Sequence, residues 1–307
     1  MKRIIAFLLV CMMVVLAGAC NGGKTTEPTT KPTEDIEVTA GPTEEATEEP
    51  TEEPTEEPTE EPEPTEEPSG NIEDSLVVSL QYDANGKVSN GVSTGPEIKP
   101  NASNVTVGTE IDADLGRYIS KMTGGVTCYG FDLSELYNIL TDGLTVEYYV
   151  NIAERPTGTT YYSIGDSFEG GGFGVEVYNA YKIDTTKTLK ADEVALQAGC
   201  QIDGSYKIIE FPVKMNQWNH VVMTWDGSRI TVYLNGALVQ EVETDWAKLT
   251  YPANPAAHHF AIGACCTSGT QYYGGNAFIG KLANFNLYTQ AMEAHEVLAS
   301  YQALSTK

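Results

Sequence analysis

From residue 144 onward, apolar and polar positions alternate along much of the chain. Leu144, Val146, Tyr148 and Val150 are separated by Thr145, Glu147, Tyr149 and Asn151. This two-residue period sends one set of side chains to a core and the other to the opposite face of a strand. Ile230, Val232 and Leu234 alternate in the same way with Thr231, Tyr233 and Asn235. Between that run and Trp218–Trp225 lies Asp226-Gly227-Ser228, a short glycine-containing turn that predicts a hairpin, and Asn235-Gly236 turns the chain again into Ala237–Val242. The same logic predicts strands over Leu76–Tyr82, Val126–Phe131, Thr159–Ile164, Phe173–Tyr178, Tyr206–Val213 and Phe278–Tyr288. In the last of these the parity changes between Leu282 and Phe285, and a bulge there restores the inward phase. Only Met292–Leu304 drops the alternation; its Val297, Leu298 and Tyr301 suit one face of a short helix. The pattern predicts an all-β, antiparallel β-sandwich over residues 69–307 with a short C-terminal helix, a length ordinary for a single β domain. A barrel shares much of the pattern.

The first 68 residues follow other rules. Lys2 and Arg3 precede an apolar run from Ile4 to Leu16, shorter than the roughly 20 residues that cross a bilayer, and small residues follow at Ala17, Gly18 and Ala19. The order predicts a secretory signal over residues 1–19. Leu16-Ala17-Gly18-Ala19-Cys20 resembles a bacterial lipobox, which implies cleavage before Cys20 and diacylglycerol on its thiol. The family places a large aliphatic residue three positions before the cysteine, where this chain has Ala17. Ala17-Gly18-Ala19 also suits ordinary signal cleavage, which would release the protein with a free Cys20. Residues 20–68 turn to Thr, Glu and Pro, with Thr-Glu-Glu-Pro repeating from Thr47 to Pro62. Such a stretch has too little apolar area to offset chain ordering, and its prolines and like charges favour an extended, disordered linker reaching on the order of 140 Å. The expected layout is a lipid-anchored protein on the external face of a bacterial membrane, its domain held into or through the cell wall.

The net charge of −25 falls partly in that linker and partly in the domain. A surface this negative disfavours nucleic acid and anionic lipid as partners. It leaves neutral sugars and proteins open.

Trp218-Asn219-His220-Val221-Val222-Met223-Thr224-Trp225-Asp226-Gly227, followed by Ile230 to Gly236, resembles the central signature of laminin G-like domains of the concanavalin A-like lectin/glucanase superfamily. Leu144-Thr145-Val146-Glu147, Phe260-Ala261-Ile262-Gly263 and Phe278-Ile279-Gly280-Lys281-Leu282 fit the same order of strands. The resemblance implies a laminin G-like antiparallel sandwich used for glycan or protein binding, here without room for a separate enzyme. It also admits a structural calcium near the chain ends, although Asn284 stands where many relatives carry Asp.

The superfamily includes glycoside hydrolases, which need two carboxylates on one face. Glu147 and Glu176 are each alone in their strands, so such a pair would have to be assembled from two strands, and the Glu-x-Asp-x-x-Glu pattern of the common hydrolases is absent. No catalytic residue is assigned. His220, His258, His259 and His295 are spaced unlike a metal or nucleophile site, and no metal ligand is assigned. Cys128, Cys200, Cys265 and Cys266 allow three pairings outside the cytoplasm. Cys128 with Cys200 is the expected bridge, with four reduced thiols as the alternative. Tyrosine is abundant, 17 residues against 8 Phe and 3 Trp. Tyrosine also favours strands for structural reasons, but its ring offers an apolar face and a hydroxyl to a sugar. Tyr149, Tyr161, Tyr178, Tyr181, Trp246, Tyr272 and Tyr273 are the expected ligand-binding rings. The expected role is non-catalytic recognition of a glycan or surface protein, with a superfamily hydrolase or lyase and a structural scaffold as alternatives.

Overall fold

The computed structural model describes residues 71–100, 106–134, 136–158, 160–167, 171–202, 205–245, 248–249, 251, 259–266 and 274–306. The expected signal, Cys20 and linker lie outside them, as do Trp246, Tyr272 and Tyr273. The strands run as β1 (Leu76–Tyr82), β2 (Val88–Asn90), β3 (Lys99–Pro100), β4 (Gly108–Ile111), β5 (Tyr118–Gly125), β6 (Tyr129–Asp132), β7 (Leu144–Ile152), β8 (Tyr162–Ser167) and β9 (Gly171–Tyr178). They continue as β10 (Glu193–Ile202), β11 (Ser205–Lys214), β12 (Trp218–Trp225), β13 (Arg229–Leu234), β14 (Ala237–Glu243), β15 (His259–Ile262), β16 (Cys265–Cys266), β17 (Gly274–Gly275) and β18 (Ala277–Tyr288), before helix α1 (Ala294–Ser305).

Two sheets result. The first has the order β14-β13-β12-β7-β18, and β18 is flanked on its far side by β5 along its first half and β1 along its second. The second runs β11-β10-β9-β8-β15-β6-β3. Pairing is antiparallel throughout except for one parallel bridge between Ala277 and Ser163, where the sheets join. The inward rows Val146, Tyr148, Val221, Met223 and Phe285 of the first sheet meet Phe173, Val175, Leu196, Phe211 and Phe260 of the second in one core. Stacked and tilted rings carry the contact across: Phe173 to Phe260 (5.2 Å), Phe260 to Phe285 (5.4 Å) and Phe285 to Tyr148 (5.3 Å). Such ring pairs add to area burial by electrostatic edge and face preferences.

Local chemistry sets the turns. Asn235 and Gly236 hold φ of 53° and 78°, the left-handed pair that a two-residue hairpin requires. Asp226 accepts the backbone N–H groups of Ser228 (2.8 Å) and Arg229 (2.8 Å), closing the β12–β13 turn. The register of β18 against β7 slips between Leu282 and Asn284, the bulge expected from the parity change, so Leu282 and Phe285 both face inward.

Several expectations are corrected. Strands β5 and β10 were not expected, and the strand expected at Val126 begins at Tyr129. Within α1, Val297 is buried but Leu298 is 44% exposed, so the two do not share a buried face. The Cys128–Cys200 bridge does not form; all four cysteines are buried and none is joined in a disulfide. Cys200 lies in the main core, whereas Cys128 packs with Cys266, Ala261, Ala264 and Ala277 in a separate cluster.

Candidate functional site

The outer face of each sheet carries a polar cluster, and the two differ in what covers them. On the first sheet, Glu147 of β7 lies beside His220 of β12 and Asn284 and Asn286 of β18, all outward by register. His220 Nε2 is 2.7 Å from Glu147 Oε1, and Asn286 donates to Glu147 Oε2 at 2.7 Å. Ser300 of α1 donates its hydroxyl to Glu147 Oε1, and Tyr301 stacks on the His220 ring at 5.7 Å. Burial pushes the Glu147 carboxyl up, but hydrogen bonding and interaction with His220, aided by Ser300 and Asn286, outweigh it and hold the group below the usual glutamate range. Glu147 and His220 are both fully excluded from solvent. This cluster fastens the helix to the sheet and offers no surface to a ligand.

The second sheet has an open outer face, and register explains how it becomes a cleft. Opposite the core residues Val175 and Leu196, the outward positions are Gly174 and Glu176 of β9, Gln197 and Gly199 of β10, and Ile208 of β11. A bulge between Ser163 and Gly165 on β8 shifts Asp166 onto this face beside Gly174. Gly174 pairs with Gly199, so the floor has no side chains. A Cβ on Gly174 would sit 2.6 Å from Asp166 Oδ1, and one on Gly199 would sit 2.2 Å from the Lys207 carbonyl oxygen. The result is a cavity of about 320 Å³ walled by Tyr161, Asp166, Glu176, Tyr178, Gln197 and Tyr206.

The walls are tied together by hydrogen bonds. Tyr178 donates its hydroxyl to Glu176 Oε2 at 2.5 Å, and the Tyr161 and Tyr178 rings lie 5.7 Å apart. The Cys265 thiol donates to Asp166 Oδ2 at 3.4 Å, and the Tyr161 hydroxyl is 3.3 Å from that sulfur. Burial raises the Glu176 carboxyl above its ordinary value, an effect the Tyr178 hydroxyl opposes. Burial likewise pushes the Tyr161, Tyr178 and Cys265 protons up, so these groups act as donors rather than as anions. Glu210 in the next row is spent on the fold: it accepts the backbone N–H of Lys182 (2.7 Å) and Ile183 (3.0 Å) and the Gln197 amide (2.8 Å).

The expected rings separate into three groups. Tyr161 and Tyr178 come together in the cleft. Tyr181 sits on the following loop, with the Lys187 ammonium 5.8 Å over its ring, and does not line the cleft. Tyr149 is only 4% exposed, packed 5.2 Å from Trp218 with the Arg117 guanidinium 5.8 Å over it, so its expected role as a ligand-binding ring is corrected. Alternation placed Tyr149 on the outer face correctly; α1 then covers that face. Sequence reasoning missed Asp166, Gln197 and Tyr206. The Gly-x-Glu-x-Tyr run at 174–178 and the Gln-x-Gly-x-Gln run at 197–201, both with small or polar outward positions, were the available signal. Among the described residues no group of three or more His, Cys, Asp or Glu is placed to hold a metal ion. Asn284, at the expected calcium position, donates toward Glu147 at 3.4 Å.

A family model for the concanavalin A-like lectin/glucanases superfamily matches residues 130–298. No curated protein matches the chain. Among solved structures, the receptor binding domain of botulinum neurotoxin mosaic serotype C/D, with tetraethylene glycol bound on its Hcn sub-domain, aligns with a TM-score of 0.55 at 14% identity, covering 76% of this chain and 52% of that one. The binding domain of botulinum neurotoxin DC aligns with a TM-score of 0.54 at 13% identity over the same shares, both in complex with SialylT and in complex with rat synaptotagmin II. The chain spans about half the length of these structures. At such identity the likeness is one of fold.

Proposed function

Because this chain belongs to the concanavalin A-like lectin/glucanases superfamily, we propose that it is a non-catalytic recognition protein whose second sheet binds a carbohydrate in the Tyr161–Tyr178–Glu176 cleft. The observation that carries the reading is that two tyrosine rings and a glycine-floored hollow coincide with hydrogen-bonding carboxylate and amide groups on one open face. A sugar ring sets its C–H face on an aromatic ring and its hydroxyls on such polar groups. Binding domains of similar fold crystallised with SialylT and with rat synaptotagmin II support ligand recognition by glycan or protein contact. We place the domain on the outside of a bacterial cell, tethered through lipidated Cys20 and the Thr/Glu/Pro linker. A glycan array tests the binding: a hit lost in Tyr178→Ala is expected, and an array silent at millimolar ligand overturns it. For the tether, Cys20→Ala is expected to leave the membrane fraction.

A second reading has one observation in its favour. Asp166 and Glu176 line the same cleft from neighbouring strands, and Glu176 is raised in the manner of a general acid. Sugar release abolished by both Glu176→Gln and Asp166→Asn would replace binding with hydrolysis.

A further inference from the structure

The charge of the cleft narrows its ligand. Asp166 and Glu176 both line it, and none of the described residues that line it is Lys, Arg or His. Glu176 has no ion-pair partner among the described residues; its bond is to the Tyr178 hydroxyl, a neutral donor. A sugar bearing carboxylate or sulfate would therefore bring like charge against a partly buried carboxylate that forms no ion pair among the described residues.

The rings point the same way. The Lys182 ammonium lies 5.6 Å from the Tyr178 centroid, so this tyrosine already presents a face to a cation at the edge of the site. Tyr161 and Tyr206 stand on the other walls, the latter 58% exposed at the rim. Tyrosine faces together with a carboxylate form the kind of surrounding that stabilises an alkylammonium group. The cavity is also of the size class that holds a small ligand or one to two sugar rings. Beyond the cleft, the acidic chain as a whole attracts cations and repels anions at long range.

We propose that the cleft selects a sugar with a free ammonium group, a hexosamine unit of a de-N-acetylated polysaccharide, over neutral and acidic sugars. The ammonium lies against Glu176 on the cleft side, away from Lys182, and the sugar ring lies over the Gly174–Gly199 floor. This rests on the reading of the cleft as a glycan site and adds its chemical class. A neutral N-acetyl group would place an uncharged amide against the carboxylate and lose the attraction between opposite charges.

Isothermal titration of the full chain at pH 6.5 with three probes tests it: a glucosamine tetramer, an N-acetylglucosamine tetramer and sialyllactose. The glucosamine tetramer is expected to bind at least about tenfold more tightly than the N-acetyl form, with sialyllactose weakest. In Glu176→Gln, which keeps an acceptor for Tyr178, the ratio of the two affinities is expected to fall to within about twofold, with a melting midpoint no lower than that of the parent chain. Equal affinity for the two tetramers, or tighter binding of sialyllactose, overturns the ammonium proposal and leaves the glycan site standing. A preference that persists in Glu176→Gln overturns the assignment to this carboxylate. No binding of the three probes, with other array glycans still captured in a Tyr178-dependent way, overturns the ammonium class alone; an entirely silent array removes the glycan reading beneath it.

Discussion

His220 Nε2 lies 2.7 Å from Glu147 Oε1, and neither side chain has any exposed surface. The imidazole's other nitrogen, Nδ1, is buried with no hydrogen-bond partner among the described residues, so the ring is committed to the carboxylate alone. The pair sits between β7, β12 and α1 and links the helix to the sheet through Ser300 and Tyr301. Its consequences are for stability rather than for ligand chemistry.

Removing one partner of a buried pair leaves the other uncompensated, a loss of about 3 to 5 kcal/mol. Glu147→Ala is expected to lose stability in that range by urea unfolding, while glycan capture by the surviving folded fraction stays intact. A loss below about 1 kcal/mol would show that water reaches the cluster.

The two glutamates are expected to respond to acid with opposite sign. Glu147 has a folded value below its unfolded one, so its stabilisation is complete above the unfolded glutamate range and is lost as pH falls through the lower folded value. Glu176 is raised, so the native state holds its proton more tightly; its contribution is present at acid pH and is lost as pH rises through the raised value. At pH 7, Glu176→Gln is thus expected to be neutral or stabilising and Glu147→Gln destabilising. Melting curves from pH 3 to 7 distinguish them, and parallel behaviour of the two variants would contradict the assignment.

The glycine floor separates fold from binding. Gly199→Ala brings a Cβ to within 2.2 Å of a backbone oxygen, which cannot yield as a side chain can, and overpacking of this kind costs about 1 to 3 kcal/mol. Gly174→Ala meets chiefly the Asp166 carboxylate, which can rotate away, with the Gly165 carbonyl oxygen farther off at 3.3 Å. The expected outcome is a lowered melting midpoint for Gly199→Ala. For Gly174→Ala it is a near-native midpoint with glycan affinity down by about tenfold or more. Unimpaired binding by Gly174→Ala would move the ligand off this floor.

The tyrosines test the same division. Tyr149→Ala is expected to cost about 3 to 5 kcal/mol, the range for deleting a buried ring, with little change in affinity. Tyr161→Ala is expected to do the reverse. Chemical unfolding and titration of both variants give four numbers, and a drop in affinity for Tyr149→Ala without loss of stability would reinstate it at the site.

Alternation made the first sheet legible: the outward or inward side of Leu144 to Asn151, the Trp218–Trp225 hairpin and the bulge after Leu282 all follow from the two-residue period. It could not say what lies over an outward face. Glu147 and Tyr149 read as surface residues because the helix that covers them is distant in sequence. β10 was missed for a different reason. Its inward row runs Val194, Leu196, Ala198, Cys200, and its outward row contains Ala195 and Gly199, residues with weak strand preference that blur the period. Of those weak positions, Gly199 is the one that lines the cleft. Of the site, the rings Tyr161 and Tyr178 were legible as residue types, whereas Asp166 reached the face through a bulge that leaves no compositional mark.

The place of β18 bears on how the protein is made. This strand lies in the interior of the first sheet, between β7 on one side and β1 and β5 on the other, yet it follows every other described strand along the chain. A chain made from its N-terminus therefore holds two half-sheets with open edges until β18 has emerged. Closure is then governed by pairings more than a hundred residues apart, the slow kind of folding step, and the first sheet stays in two pieces until that late strand arrives.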